Sequence, residues 1–180
     1  IPGLDRVAMI KIATIDAGLA YQIRTFEEPP FAEYFDTRID LRDLAHADLS
    51  AIPLLMIPCR TNGARLVPHR AQLAEYMARG GTPVVIGETH PHLFLDGVQF
   101  TPEPTNFWWW LQEGADLGVR IARPTHALMA PMEQADVTWH IHGTLGFGAP
   151  SETLVTWAAE GGQPEPVLSI QDRGFGCLII

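Results

Sequence analysis

Cysteine is scarce in this sequence. Cys59 and Cys177 are the whole complement of its 180 residues. Two thiols without a Cys-x-x-Cys spacing exclude a disulfide scaffold, and reduced thiols fit a cytoplasmic protein. Positive charge is also scarce: 12 Lys and Arg stand against 21 Asp and Glu, a formal net charge of −9. Such an acidic balance argues against nucleic acid and anionic membrane as partners. No apolar run reaches the roughly 18 residues that a membrane-spanning helix needs. The opening Ile1-Pro2-Gly3-Leu4-Asp5 lacks the basic-then-apolar order of a signal peptide. Repeats, low-complexity runs and linkers are missing too. One domain over 1–180 is therefore expected, with enough chain for a core.

What is present is a series of short apolar strands followed by polar turns. Val7 to Ile15 is rich in β-branched residues and ends at Asp16-Ala17-Gly18. Pro29-Pro30 precede a short helix candidate at Phe31 to Phe35, and Arg38 to Leu41 is a weak strand. Leu54 to Pro58 is a buried strand followed by Cys59-Arg60-Thr61-Asn62-Gly63. Pro68 to Arg79 reads as a helix with Leu73, Tyr76 and Met77 on one stripe, closed by Gly80-Gly81. Pro83 to Gly87 is the next strand. Strand–helix–strand order implies crossovers and a mostly parallel sheet in an α/β fold. Later strands are expected at Asp136 to Ile141, Pro166 to Ile170 and Cys177 to Ile180, the last two joined by a hairpin turn. A chain that closes on an apolar strand is expected to continue beyond Ile180.

Residues 90–135 are rich in proline and carry Phe107-Trp108-Trp109-Trp110. They read as an irregular Trp/Pro-rich insertion. Three successive indoles cannot share one face, so at least one should be exposed or packed on another chain.

Ligands of open α/β sheets bind beyond the carboxyl ends of the strands. The residues delivered there are Asp16, then Arg60 and Thr61 after Cys59, then Glu88, Thr89 and His90, and finally His140 and His142. His140 and His142 are two apart, as are His90 and His92, so each pair shares a face if extended. Four histidines at one edge are a candidate zinc set. Against it stands the lack of any established ligand spacing, and strand-end histidines satisfying backbone and water are the preferred reading. No metal or cofactor is expected. Cys59 follows a strand and precedes Arg60, but has no glycines to make a sharp elbow, so a structural thiol is preferred. Cys177 reads as core.

Leu54 to Pro58, the helix ending at Gly80-Gly81, and Pro83 to Gly87 followed by Glu88 resemble the core of the class I glutamine amidotransferase-like superfamily. The closing pattern is Trp139 to Gly143, Pro166 to Ile170, then Gly174-Phe175-Gly176 before an apolar strand. It is similar to the non-amidotransferase branch, the trehalose-utilisation-like proteins and the middle domain of some β-galactosidases. The resemblance covers about two thirds of the chain and implies a flavodoxin-like three-layer sandwich. In catalytic members the turn after the fourth strand carries a cysteine between glycines, activated by a histidine from a late strand. Here the turn reads Gly87-Glu88-Thr89-His90-Pro91, so Thr89 or Glu88 takes the place of the nucleophile. Gly143 and Thr144 follow His142 where those enzymes pair a glutamate with the histidine. Glutamine hydrolysis is not expected. Two functions stay open: a binding or assembly domain for a small polar ligand, carbohydrate-like by analogy, and a hydrolase using Glu88 with His140 or His142, with or without a metal. The Trp108–Trp110 run would serve as a ligand platform or a homo-oligomer contact.

Overall fold

The computed structural model describes residues 12–174 and 176–180. Its strands are β1 (Ile12–Asp16), β2 (Phe35–Asp40), β3 (Leu54–Ile57), β4 (Thr82–Val85), β5 (Val98–Pro102), β6 (Val119–Ile121), β7 (Gly143–Phe147), β8 (Glu152–Trp157), β9 (Glu165–Asp172) and β10 (Cys177–Ile179). The α-helices are short: α1 (Ala20–Glu27), α2 (Gly63–Leu66), α3 (Arg70–Ala78) and α4 (Gln134–Val137). No helix is long and apolar enough to cross a membrane among the described residues. The Val7–Lys11 part of the expected first strand, and Phe175, lie outside the described residues.

The architecture is mixed α/β around one eight-stranded sheet in the order β2-β1-β3-β4-β10-β9-β8-β6. The ladders from β2 to β10 are parallel. Those from β10 to β6 are antiparallel. A separate antiparallel pair joins β5 and β7.

One face of the parallel half carries the main core. Leu73, Tyr76 and Met77, the expected stripe of α3, are buried in the same cluster as Ile15, Leu55, Ile57, Val85 and Leu178. Alternate residues on these strands point the other way, and Leu54, Met56, Val84 and Ile179 are only half-buried. Tyr76 closes the end of α3. Its ring occupies the space that a side chain at Gly81 would need. Its hydroxyl accepts from the Thr82 N–H at 3.1 Å, and burial pushes the phenol up to about 12, so it keeps its proton and can donate to the Pro53 carbonyl at 3.2 Å. A smaller cluster of Val119, Met129, Leu154 and Val155 packs the antiparallel half.

Several expectations are corrected. Asp136 to Ile141 is not a strand. The Glu133 N–H donates to the Asp136 carboxylate at 2.7 Å, and the Thr138 hydroxyl donates to the Gln134 carbonyl at 2.6 Å. These short-range bonds favour the turn of α4, and extended structure begins only at Gly143. Residues 90–135 are not wholly irregular, because they contain β5 and β6. Both are short and lack clear alternation, as does β8, so pattern alone hides them. The expected helix at Phe31 to Phe35 is a 3-10 turn over Ala32–Tyr34. Cys177 is half-buried rather than core, with Sγ 3.6 Å from the Thr82 hydroxyl. Trp108 and Trp110 are exposed at 65% and 57%, as three consecutive indoles require.

Leu73 is fully buried and Leu111 largely exposed. Leu73→Ala should lose about 2–5 kcal/mol in urea titration, and Leu111→Ala less than about 0.5 kcal/mol. Equal losses would contradict this placement of the core.

Candidate functional site

The turns after β3 and β4 touch each other. After β4, Gly87 takes a positive φ of 63°, where an added Cβ would stand 2.5 Å from the Cys59 sulfur. The Thr89 N–H donates back to the Gly87 carbonyl at 2.9 Å, and His90 is left-handed at φ 53°. Pro91 then starts a 3-10 turn over Pro91–Leu93. After β3, Arg60 also has positive φ, 62°. Its N–H donates to the Glu88 carbonyl at 3.0 Å. Arg60 and His90 are the non-glycine residues with positive φ among the described residues. Such conformations persist where surrounding packing over-determines them, and they cluster at functional sites. Gly63 completes the junction, since a side chain there would overlap the Thr89 carbonyl oxygen.

This geometry sorts the two candidates for the nucleophile position. Thr89 is 0% exposed, and its hydroxyl has no hydrogen-bond partner among the described residues. Glu88 faces outward. Its Oε2 lies 3.5 Å from Arg60 Nε and 3.9 Å from His142 Nδ1. The second distance is beyond a hydrogen bond and within ion-pair range. Thr105 supplies the direct contact: its hydroxyl donates to the Ile141 carbonyl at 3.0 Å and lies 3.2 Å from His142 Nδ1. A hydroxyl has one proton. With that proton given to Ile141, Thr105 accepts from Nδ1–H, which leaves Nε2 for another partner.

His140 packs edge-on against His142, with ring centroids 5.2 Å apart, and both rings lean on Phe107. Burial, then the neighbouring His142 and the Arg60 charge, hold the His140 imidazole below its ordinary range. His90 and His92 form a separate group around Phe100. No group of three or more His, Cys, Asp or Glu is placed to hold a metal ion among the described residues.

Asp16 stands apart from this constellation, while Thr61 lines the same cavity as Arg60, Glu88 and His90. The Asp16 carboxylate accepts from the Gly18 N–H at 2.7 Å and pairs with Arg38. Thr61 is buried and donates to the Pro58 carbonyl at 2.7 Å. Between β1 and β3, Tyr21 and Gln22 both donate to the Cys59 carbonyl, at 2.6 and 2.8 Å. Burial raises the Tyr21 phenol, so it remains a donor. Tyr21, Gln22 and Thr105 were not singled out from the sequence, and Phe107 was noted only as the start of the Trp108–Trp110 run. Each is ordinary in its own segment, and no spacing marks it.

Two cavities border the junction. One of about 330 Å³ is lined by Arg60, Asn62, Gly63, Glu88 and His90. Another of about 430 Å³ begins at Gly87, His140 and His142.

Comparison with protein-family models gives no match, and comparison with curated proteins gives none. Among solved structures, Gan42B, a GH42 β-galactosidase, is similar over 93% of this chain at 15% identity, with a TM-score of 0.48. This chain spans 26% of the length of that protein.

The depressed His140 pKa has a definite sign. As pH falls, the unfolded chain protonates first, so stability is greatest above the ordinary imidazole value of about 6.5 and declines toward the lower folded value. Urea titrations at about pH 8 and about pH 6 should show this decline, and His140→Gln should reduce it. An unchanged slope in the variant would remove His140 as its source.

Proposed function

We propose that this chain is a small-ligand-binding domain whose ligand sits at the turns after β3 and β4. The observation that carries the reading is the meeting of Arg60, Glu88 and His142, from three separate segments, beside two cavities. Strained backbone at Arg60 and His90 supports it. The ligand in this reading is small and polar. Carbohydrate-like molecules are the first to test, by the resemblance noted in the sequence.

The scaffold we assign is amidotransferase-like without the thiol. The parallel strands run β2-β1-β3-β4-β10, the 2-1-3-4-5 order of flavodoxin-like sheets. In a three-layer arrangement, α1 and α3 would flank that sheet on opposite faces. The two hydrophobic clusters pack on different halves of one continuous eight-stranded sheet, which supports a single folding unit. With Thr89 buried and no cysteine in this turn, the nucleophile position of the amidotransferase pattern holds no thiol. The exposed Trp108 and Trp110 remain a platform for ligand or for a second copy.

A second reading has one observation in its favour. Glu88 and His142 approach within 3.9 Å, close enough for an acid–base pair to tighten on substrate. On that reading Glu88→Gln should slow hydrolysis of a responsive substrate by about 100-fold or more. An unchanged rate ends it.

The binding reading is tested by NMR titration with panels of small polar compounds, sugars included. A true ligand should shift resonances around Glu88 and His142. Its affinity should fall about tenfold in Arg60→Ala or His142→Ala, the loss of one hydrogen bond to a charged or buried partner. Ligands that bind both variants as they bind the parent would place the site elsewhere.

A further inference from the structure

We infer that the ligand of this cleft is an amphiphile, with an uncharged hydroxyl or carbonyl head and a short aliphatic tail. The inference rests on the binding reading and goes beyond it, adding an apolar tail to the polar head that reading assigns.

The tail argument comes from the chamber of about 430 Å³ behind the imidazoles. Val84, Ile179, Val155, Val167 and Leu168, from four adjacent strands, form most of its aliphatic lining, and Val137, Ile141, Phe100 and Trp139 line it as well. Among the described residues, His140 and His142 are its only titratable side chains, and no carboxylate, ammonium or guanidinium lines it. Several of these aliphatic groups are half-buried, and Ile86 at the edge is 41% exposed. Apolar surface left facing water is a standing cost that an aliphatic ligand would remove. The larger cavity of about 770 Å³ near β6 contrasts with it, being lined by Asp116, Arg120 and Glu160.

The head argument comes from the rim. Arg60 and Glu88 face each other at 3.5 Å and offset each other's charge. His142 Nδ1 is engaged by Thr105, which leaves Nε2 to meet a ligand. A carboxylate or ammonium head would enter without an opposite charge in the lining, and unpaired charge is costly to bury. A hydroxyl or carbonyl can be satisfied by imidazole.

Size argues for a small molecule over a protein segment. Two turns of helix, 10–12 Å across, occupy on the order of 1000 Å³. The chamber lies within the range of small-molecule sites.

The test uses a neutral fluorophore, 1-aminoanthracene, displaced by 1-butanol, 1-hexanol, 1-octanol, octanoate and octylamine at about pH 8. Each added methylene should tighten binding about threefold to fourfold. Octanol should bind at least tenfold tighter than either charged analogue. Methyl NMR should localise the shifts to Val84, Val167 and Ile179. Val167→Trp, which fills the chamber, should lose octanol binding tenfold or more, with Val84→Trp as the companion variant. If neither variant folds, the methyl shifts of the unaltered chain decide. Absence of chain-length dependence, equal binding of octanoate and octanol, shifts away from these methyls, or binding that occurs only with dimerisation would each overturn the inference. If alkanols fail while polar compounds still bind through Arg60 and His142, only the tail chamber is refuted. If both fail, the binding reading falls with it.

Discussion

The hydrogen bond from the Arg60 N–H to the Glu88 carbonyl, 3.0 Å long, ties the turn after β3 to the turn after β4. Such a bond needs the two backbones in close approach, and two glycines provide it. Gly87 lies against the Cys59 side chain, and Gly63 lies against the Thr89 carbonyl. Positive φ at Arg60, Gly87 and His90 follows from the same crowding. Loosening this junction would release Glu88, expose Thr89 and separate Arg60 from its carboxylate partner. The features of the candidate site therefore share one mechanical origin.

The junction also decides which chemistry is within reach. It turns Thr89 inward, where its hydroxyl meets neither solvent nor a partner among the described residues, and Glu88 outward toward Arg60 and His142. Charge is concentrated at the rim, while the described lining of the chamber behind the imidazoles is mostly apolar. Polar and apolar surface thus lie side by side, which is the usual composition of a site that both orients and desolvates a ligand. Thr105 adds tautomer control, because its one proton is committed to a backbone carbonyl.

Much of the parallel half was legible from residue order. Apolar runs at Leu54 to Ile57 and Thr82 to Val85, with a 3.6-period stripe at Leu73, Tyr76 and Met77 between them, carry local signals of strand and helix. The antiparallel half was less legible. β6 is three residues long, β5 ends in proline, and α4 arises from side-chain bonds at Glu133 and Thr138 that compete with extension. Of the candidate residues, Arg60, Glu88, His140 and His142 come together, Thr61 and His90 line the cavity beside Arg60 and Glu88, and Asp16 pairs with Arg38 instead.

By itself the sequence determined that acidic composition, scarce thiols and short apolar strands make an α/β chain with polar turns at its strand ends. It also determined that no cysteine stands in the turn after β4. Periodicity and composition are local properties, and these conclusions needed nothing more. Only the tertiary structure decided that Thr89 is buried and Glu88 is presented. It alone brought Thr105 and Phe107 to the histidines and left a mostly apolar chamber behind them. Those outcomes depend on the approach of segments distant in the chain, from 26 residues for Gly63 and Thr89 to 95 for Val84 and Ile179. The spacing within a single segment carries no record of such an approach.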